Sequence, residues 1–515
     1  MQKEPLVLTL DFGTQSVRAM IFDAKGTPLA EEKVNYEPAY FSPLPGYVEQ
    51  NPDYYWECVQ IATKALASNH GTLLQKVGAM AMTCFRDTAV LLDIEKKPLR
   101  PAILWLDQRQ AALKTPLPLF NRIAFALVGM SETVKMNQKR TPAIWVQENE
   151  PELWAKTAHY MTISTYLTYK LTGRLVDSSA NQAGHFPINF KKRCWYKDGD
   201  LKGSIFQIPR ALLCELVQPG DLLGKISKEI SLLTGIPEGT PFYATGSDKG
   251  CETIGSGCLS NEMASVSYGT ASAVEITNKK YIEPEPFLPA YPAPIPNFFQ
   301  LEVQIYRGYW MINWFKSQFA EKEVQEALLA KLPVEKILDR KMLEIPPGSQ
   351  GLVLQPYWGP GLRRPEAKGA VIGFTDYHTK IHVYRAIVEG IAYGLKDGLQ
   401  GIEKRQHKTV KEIRISGGGS QSDAVCQITA DIFGLPVKRI QTYETGSLGA
   451  AIAAFVSHGF FNTYEEAVER MVHVSRTFTP DKEANKKYNF LFNEVYLDMY
   501  PHLKKMYKKL RAYKQ

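Results

Sequence analysis

Two short segments of the chain have residue types that could bind phosphate groups. Each has the pattern Gly-Thr-x-Ser between two apolar runs, at Gly13-Thr14 near the start and at Gly269-Thr270 in the middle. Glycine permits a positive backbone torsion and a close approach to a ligand, and the N–H groups and hydroxyls of such a turn can cradle phosphate oxygens. Two such hairpins predict two related domains and an enzyme that uses a nucleotide.

Charged residues lie on both strands of the first hairpin. Asp11 comes just before Gly13, where a carboxylate alone would repel phosphate, so a Mg²⁺ ion held largely through water is its expected partner. Arg18 on the returning strand could offset phosphate charge. The alternative is a surface hairpin with a solvated arginine.

A second carboxylate has a position that suits a catalytic group. Asp248 follows an apolar strand, between Gly246 and Gly250, and α/β proteins commonly place their sites at the carboxyl ends of strands. Phosphoryl transfer needs a phosphate cradle, a divalent metal and a base, and Asp248 would accept the proton of a substrate hydroxyl. The alternative is an aspartate that caps a helix or a turn.

A turn between two predicted strands contains an adjacent base and acid, Arg86-Asp87. The carboxylate could accept hydrogen bonds from neighbouring hydroxyls of a polyol while the guanidinium donates. Trp105, within Trp-Leu-Asp-Gln-Arg at another strand end, could stack on a sugar. The alternatives are an exposed ion pair and a tryptophan of the core.

Three consecutive glycines, 417–419, follow a strand and precede a helix. Such a turn lets the backbone approach a flat ligand such as adenine or ribose. Ser420 and Asp423 resemble a capping box that would open a helix over 421–433.

The composition is that of an ordinary globular protein. The 515 residues predict two to four domains, and a net charge of +8 gives no reason to expect nucleic acid. Seven scattered cysteines without a C-x-x-C pair indicate reduced thiols in a cytoplasmic protein and no zinc site. No signal peptide or membrane-spanning segment is expected.

Hydrophobic periodicity predicts alternating strands and helices, with a domain boundary between Gly250 and Ala264. The predicted elements are a hairpin over 6–23, a strand over 29–36, helices over 52–69, 141–173, 309–319 and 379–406, and strands over 77–83, 88–93, 242–245 and 412–415. The proline-rich segment 284–296 is expected to be an irregular surface loop.

The order of these motifs resembles that of the FGGY carbohydrate kinases over roughly residues 5–460. The matching segments are D-x-G-T from Asp11, R-D-T from Arg86, W-L-D-Q-R from Trp105, G-S-D from Gly246, Y-G-T from Tyr268, R-A-x-x-E-G-I-A from Arg385, G-G-G-S from Gly417 and E-T-G-S-L-G-A-A from Glu444. The resemblance implies an α/β protein with two domains of actin-like (ribonuclease H-like) fold, 1–257 and 258–515, with a cleft between them. It also implies Mg²⁺-ATP-dependent phosphorylation of a sugar or polyol.

The same resemblance implies roles for individual positions. Asp248 corresponds to the catalytic base, and Asp11 and Asp248 to the carboxylates on the metal side. Phosphate contacts are implied for Gly13, Thr14, Gln15, Arg18, Gly269 and Thr270. The nucleotide is implied to contact Asn313, Gly417, Gly418 and Ser422. The acceptor is implied to contact Arg86, Asp87, Trp105 and Asp248.

The substrate side departs from each related group in some respect. Arg86-Asp87 is similar to the Arg-Glu pair of glycerol kinases and to the pair of autoinducer-2 kinases, whereas xylulokinases and gluconokinases usually have a Met-His type sequence there. An aromatic residue that walls the glycerol site corresponds here to Ala273, and a glycerol-contacting tyrosine to Asn137. These shorter side chains predict an acceptor larger than glycerol, namely a ketose, sugar alcohol or sugar acid of four to six carbons.

Other functions stay open at this point. The alternatives are a glycerol kinase proper, an autoinducer-2-type kinase, an actin-like ATPase without a small acceptor, and a sugar sensor without catalysis. The partner expected is a small sugar or polyol, with no nucleic acid and no membrane. A homodimer is one option for the assembly.

Overall fold

The computed structural model describes residues 5–286, 288–359, 361 and 364–513. Its strands are β1 Leu6–Phe12, β2 Ser16–Phe22, β3 Pro28–Asn35, β4 Glu49–Gln50, β5 Val77–Cys84, β6 Ala89–Leu92, β7 Ala102–Ile103, β8 His159–Thr162, β9 Val176–Ser178, β10 Ile188–Asn189, β11 Cys194–Trp195, β12 Glu215–Val217, β13 Leu222–Lys225, β14 Pro241–Tyr243, β15 Met263–Tyr268, β16 Ser272–Asn278, β17 Tyr291–Pro292, β18 Phe299–Ile305, β19 Val353–Gln355, β20 Ala370–Ile372, β21 Glu412–Ser416, β22 Val437–Ile440 and β23 Val474–Phe478. Its α-helices are α1 Pro52–Leu74, α2 Leu119–Leu127, α3 Ser131–Arg140, α4 Pro142–Asn149, α5 Pro151–Lys156, α6 Ile163–Thr172, α7 Lys228–Thr234, α8 Asp248–Gly255, α9 Trp310–Phe319, α10 Glu321–Ala330, α11 Val334–Leu343, α12 Lys380–Gln406, α13 Asp423–Phe433, α14 Thr445–Ser457, α15 Tyr464–Met471, α16 Lys482–Leu491 and α17 Leu497–Tyr513.

The chain forms two compact units, and each is assembled from three separate segments. The first unit consists of Met1–Gly255, Tyr291–Phe299 and Gly446–Met471. The second consists of Ser256–Ala290, Gln300–Thr445 and Val472–Gln515. The domain division at 257/258 stays a prediction.

The main sheet of the first unit has the order β13-β14-β5-β1-β2-β3. The hairpin β1–β2 is antiparallel, as the sequence predicts, and β3 continues it antiparallel to β2. The strands β14, β5 and β1 are parallel neighbours. The carboxyl ends of these three strands therefore meet at one edge of the sheet, where side chains from distant parts of the chain come together.

The sheet of the second unit repeats this pattern. Within the unit its strand order is β18-β16-β15-β21-β22-β23. The hairpin β15–β16 is antiparallel, β15, β21 and β22 run parallel, and β23 is an antiparallel edge strand, like β13 in the first unit. The two Gly-Thr-x-Ser turns thus occupy equivalent positions in two sheets of the same topology, which confirms the prediction of two related halves.

Helix α1 covers one face of the first sheet. It begins where the Asn51 side chain accepts a hydrogen bond from the backbone N–H of Asp53, with Pro52 at its first position. Tyr55, Val59 and Leu66 lie on one face of the helix and are fully buried in the core of this unit. The sequence predicts this helix correctly but ends it earlier, at residue 69.

Helix α12 is the long central helix of the second unit. The predicted apolar positions, among them Ile387, Ile391 and Leu395, are fully buried. The prediction of a helix over 379–406 is confirmed, with Thr379 as its N-cap.

The prediction that residues 141–173 are mostly helical and end near Gly173 is confirmed, since this region contains α4, α5 and α6, and Gly173 is the C-cap of α6. The region is not continuous, because Pro142 and Pro151 each begin a new helix and β8 pairs with β6 in the sheet β4-β7-β6-β8. The expectation of an irregular surface loop over 284–296 is wrong for its second half, because Tyr291 and Pro292 form strand β17, and Pro292, Ala293 and the two residues after them are buried.

Candidate functional site

The register of three parallel strands brings the candidate residues of the first unit to one edge. Phe12 on β1 pairs with Cys84 on β5, and Cys84 forms a bridge with Ser247 after β14. The next residues along each strand are the phosphate turn, the Arg-Asp turn and Asp248. Their spacing in sequence is large, but the sheet places them side by side.

The first phosphate turn has the expected hairpin form, with one difference. The N–H of Gly13 donates to the carbonyl of Ser16 at 3.0 Å, and the carbonyl of Gln15 accepts from Tyr36 at 2.9 Å. Gly13 does not adopt a left-handed backbone conformation, and a Cβ atom there would lie no closer than 3.7 Å to the Ser16 carbonyl oxygen. The expectation of a positive φ at Gly13 is therefore wrong. The absence of a side chain at Gly13 leaves the backbone beside Thr14 open to a ligand.

Asp11 and Arg18 are direct cross-strand partners in this hairpin. Arg18 also has its Nε atom 3.6 Å from Glu31 on β3. The hydroxyl of Ser447 on α14 donates to Asp11 Oδ2 at 3.1 Å. Asp11 is half-buried, and its carboxylate is held by the hydroxyl of Ser447.

Gly449 explains part of the Glu-Thr-Gly-Ser-Leu-Gly-Ala-Ala motif. A Cβ atom on Gly449 would lie 1.9 Å from the carbonyl oxygen of Cys251 in α8. Only glycine lets α14 pack this closely on α8. The same packing brings Ser447 to Asp11 and supports the helix that begins with Asp248.

Asp248 is the first residue of α8 and is half-buried. Its Oδ1 accepts from the N–H of Lys249 at 2.8 Å, and Lys249 pairs with Glu252 at 2.6 Å. Burial raises the pKa of the Asp248 carboxyl above its ordinary value, while the charges of Lys249 and Arg86 act in the opposite direction. A carboxylate with a raised pKa at the end of a strand can act as a general base.

The Arg86-Asp87 turn is held by residues that sequence reasoning missed. The Arg86 guanidinium lies over the ring of Tyr291, 5.1 Å from its centroid. Tyr291 belongs to the proline-rich segment, whose Pro294 packs against Gly246, so close that a Cβ there would lie 2.6 Å from Pro294 Cγ. Asp87 has a positive φ of 54° and contacts His185. The high proline content of this segment did not indicate that one of its residues would contact Arg86.

Trp105 contacts the first phosphate turn. Its indole N–H donates to the hydroxyl of Thr14 at 3.2 Å, and its ring packs on the core of the first unit. The acid and base that follow it are structural: Asp107 accepts from Arg109 Nη2 at 2.7 Å, and Arg109 also pairs with Glu49 at 2.6 Å. The rest of this motif therefore holds the tryptophan in place.

In the second unit, the glycine run lies against the second phosphate turn. Gly417 has a φ of 76°, and a Cβ there would lie 2.8 Å from the Tyr268 carbonyl carbon. The backbone N–H of Tyr309 donates to the Gly269 carbonyl at 3.2 Å, and that of Trp310 to the Thr270 carbonyl at 3.4 Å. The helix α9 thus fixes the turn.

Ser422, and not Ser420, caps helix α13. The Ser422 hydroxyl accepts from Val425 N–H at 3.1 Å and donates to Asp339 Oδ2 at 2.5 Å. Ser420 instead donates to the carbonyl of Gly417 at 2.7 Å. The predicted capping box is therefore wrong: the N-cap is Ser422, and Asp423 is the first residue of the helix instead of the acidic partner of Ser420. Gly418 lies in the short 3₁₀ turn before α13.

Three further positions have clear environments. Asn313 is exposed on α9. Ala273 is fully buried in β16. Asn137 donates its amide to the carbonyl of Thr133 in its own helix at 3.0 Å. The argument for a larger acceptor therefore depends mainly on Asp87.

The oxygen donors of the site fit a magnesium ion better than a transition metal. Asp11 and Asp248 supply carboxylate oxygens, the ligands that Mg²⁺ prefers. Among the described residues, no three side chains of histidine, cysteine, aspartate or glutamate are grouped to hold a metal. A metal bound mainly through water and phosphate oxygens is consistent with this set. Over the described ranges, every helix is too short or too polar to cross a membrane.

Comparison with known proteins gives the same assignment over nearly the whole chain. Residues 6–255 match the N-terminal domain of the FGGY family of carbohydrate kinases, and residues 264–458 match its C-terminal domain. An uncharacterized sugar kinase of Escherichia coli is 29% identical over 97% of this chain and 95% of its own. A xylulose kinase of Lactococcus lactis is 27% identical over 94% of this chain and 95% of its own.

A solved structure supports the fold. The crystal structure of gluconate kinase from Lactobacillus acidophilus covers 99% of this chain and 100% of its own with a TM-score of 0.81, at 22% identity. The expectation of a two-domain α/β protein of actin-like fold is confirmed. This chain belongs to the FGGY family of carbohydrate kinases and is a phosphotransferase that acts on a sugar or polyol.

Proposed function

We propose that the enzyme transfers the γ-phosphoryl group of ATP to a hydroxyl group of an acceptor larger than glycerol, with Asp248 as the general base. The observation that carries this proposal is the row Phe12, Cys84 and Ser247, which aligns the phosphate turn, Arg86-Asp87 and Asp248 at one sheet edge. A phosphate cradle, a polyol-binding pair and a base are the parts that the reaction needs.

The chemistry follows from these positions. The acceptor hydroxyl oxygen forms a bond to the γ-phosphorus, the bond to the β–γ bridging oxygen breaks, and ADP leaves with the electron pair. The hydroxyl proton passes to Asp248, whose raised pKa makes it a better proton acceptor than an ordinary aspartate. Arg86 and Asp87 orient the acceptor, and Trp105 forms an apolar wall beside it.

The remaining predicted residues would bind the nucleotide. In the first unit these are Gly13, Thr14, Gln15 and Arg18. In the second unit they are Gly269, Thr270, Asn313, Gly417, Gly418 and Ser422. Asp11 and Asp248 would hold Mg²⁺, which neutralises charge that develops on the phosphates. The hydroxyl of Ser422 already gives its proton to Asp339, so it can only accept a hydrogen bond from the nucleotide.

The size of the acceptor is supported by Asp87. Asp87 is one methylene shorter than the glutamate of glycerol kinases, which leaves more room beside it. This favours a ketose, sugar alcohol or sugar acid over glycerol.

The test is an ADP-release assay with Mg²⁺-ATP and four probes: glycerol, D-xylulose, xylitol and D-gluconate, with a blank that lacks any acceptor. We expect turnover well above the blank with at least one of the larger probes, and a higher kcat/KM for it than for glycerol. A higher value for glycerol would refute the predicted acceptor size. ATP hydrolysis at the same rate in every sample would contradict the kinase assignment.

A further inference from the structure

The loop from Asp177 to His185 lies between the two ends of the acceptor site in the first unit. Nothing in the sequence motifs assigns a role to this loop. At one end it contacts Asp87 through Gly184 and His185, and at the other it is tied to the segment before Asp248. Its contacts show how the acceptor-binding carboxylate is held.

His185 binds the Asp87 carboxylate with two donors. Its backbone N–H donates to Oδ1 at 2.9 Å, and its ring Nδ1 lies 2.8 Å from Oδ2. Gly184 has a φ of 84°, and a Cβ there would lie 2.1 Å from Asp87 Cγ. The loop is therefore packed so closely on the carboxylate that only glycine fits at that position.

A buried carboxylate fixes the shape of this loop. Asp177 is 0% exposed and accepts from the side-chain amides of Asn181 at 2.9 Å and Gln182 at 2.8 Å. The carbonyl of Ala180 also accepts from the N–H of Ser247 at 3.2 Å, directly before Asp248. The loop is anchored at both ends, so His185 has little freedom to leave Asp87.

These contacts determine what remains of Asp87 for a ligand. Each carboxylate oxygen can accept about two hydrogen bonds, and His185 takes one on each oxygen. Since a carboxylate only accepts, the hydrogen of the ring contact must be carried by Nδ1. One acceptor position is left on each oxygen, and the two are side by side, which suits two hydroxyls on neighbouring carbons.

We propose that His185 is a positioning residue for the acceptor: it sets the plane of the Asp87 carboxylate, so that Asp87 binds a pair of neighbouring hydroxyl groups. The inference rests on the proposed function, because it takes Asp87 as an acceptor-binding residue. The inference predicts two similar losses of acceptor affinity. One is seen when the wild-type enzyme is given an acceptor that lacks one of the two hydroxyls, and the other when a variant without the His185 side chain is given the complete acceptor.

Three variants separate a hydrogen bond from simple packing. In His185→Asn the amide nitrogen takes the place of Nδ1, whereas in His185→Gln it reaches the place of Nε2, and His185→Ala has neither. The acceptor used is the one of D-xylulose, xylitol and D-gluconate that is turned over best. We expect His185→Ala and His185→Gln to raise its KM about 5- to 10-fold. The Asn variant should stay within twofold of wild type, and the ATP KM should stay within twofold in all three.

The outcomes are distinguishable from failure of the proposed function. Asp87→Asn must raise the acceptor KM; if it does not, or if no probe is turned over, the proposed function itself fails. The role of His185 is overturned if Asp87→Asn raises the acceptor KM but His185→Asn and His185→Gln behave alike. It is also overturned if the His185 variants raise the KM values of the acceptor and of ATP equally. Thermal unfolding midpoints of all variants check that each is folded.

A second readout needs no acceptor. In protein labelled with ¹⁵N-histidine, measured at a pH where the ring is neutral, the His185 resonances should show the proton on Nδ1. In Asp87→Asn this preference should be lost. A proton on Nε2 in the wild-type protein would contradict the arrangement.

Discussion

The indole N–H of Trp105 donates to the hydroxyl of Thr14, the residue at the centre of the first phosphate turn. A side chain that we propose to contact the acceptor and one that we propose to contact the nucleotide are therefore in direct contact. A substitution of either residue should therefore change the KM values of both ATP and the acceptor.

Thr14→Val tests this contact. Valine keeps the shape but removes the hydroxyl, so it leaves the indole N–H without its acceptor and deprives the phosphates of a donor. We expect the KM values of both ATP and the acceptor to rise. Thr14→Ser keeps the hydroxyl and should change neither by more than about twofold. A rise in the ATP KM alone would show that Trp105 does not depend on Thr14.

Asp248→Asn should abolish most of the activity without unfolding the protein. Removal of a general base commonly lowers kcat by about 10²- to 10⁴-fold. Nucleotide binding, measured by calorimetry, should be retained. The control is Asp221→Asn, which changes a turn aspartate of the same unit whose carboxylate accepts from Gln218. Near-normal turnover in Asp248→Asn would remove this residue from the base role.

The pH dependence should follow the ionisation of Asp248. Burial raises the pKa of this carboxyl, and the base must be ionised, so kcat/KM should fall as the pH decreases through that raised pKa. Lys249→Met removes a charge that favours the ionised form of Asp248, so it should shift the acidic limb to higher pH. Lys228→Met, an exposed lysine on α7, should not move it. A shift to lower pH in Lys249→Met would contradict the assignment.

Tyr291 should affect the acceptor through Arg86. A cation–π contact contributes about 1 kcal/mol, which corresponds to roughly a fivefold change in an equilibrium constant. Tyr291→Leu should therefore raise the acceptor KM about fivefold and leave the ATP KM unchanged. Tyr291→Phe keeps the ring and should restore the wild-type value. Equal effects of Leu and Phe would assign the role to the phenolic hydroxyl instead.

Lys396 should make stability depend on pH in a defined window. Burial lowers the pKa of this lysine to about 8, and its ammonium donates to the carbonyl of Ile432 at 2.7 Å. Between pH 8 and the ordinary value near 10.4, the unfolded chain binds more protons than the folded one, so this group makes the free energy of unfolding rise with pH.

Lys396→Met removes this contribution. The free energy of unfolding of the wild type, minus that of the variant, should increase by about 1 to 3 kcal/mol from pH 8 to pH 10. Chemical denaturation at the two pH values measures it. Lys404→Met, an exposed lysine on the same helix, serves as the control. A difference that does not change with pH would show that the pKa of Lys396 is not lowered.

Local patterns in the sequence predicted much of this structure. The two hairpins, helix α12 and the position of Asp248 after a strand all depend on residues close together in the chain, where turn chemistry and periodicity are informative. The resemblance of ordered motifs then gave the family. The residues that hold the site were not accessible in this way.

The partners of Arg86 and Asp87 show why. His185 lies 98 positions after Asp87, and Tyr291 is further still. No local periodicity relates such positions, because the pairing of parallel strands and the folding of the proline-rich segment bring them together. The cap at Ser422 was missed because only Ser420 and Asp423 match the pattern of a capping box, and the contact of Ser422 with Asp339 joins two different parts of the chain.

The contact between Ser447 and Asp11 joins residues 436 positions apart. At a synthesis rate of about 5 to 20 residues per second, the ribosome makes Asp11 roughly 20 to 90 s before Ser447. Throughout that interval the first sheet lacks α14, whose close packing on α8 depends on Gly449. The packing of α14 on α8 and the contact of Ser447 with Asp11 can therefore form only late in synthesis, after most of the chain has been made.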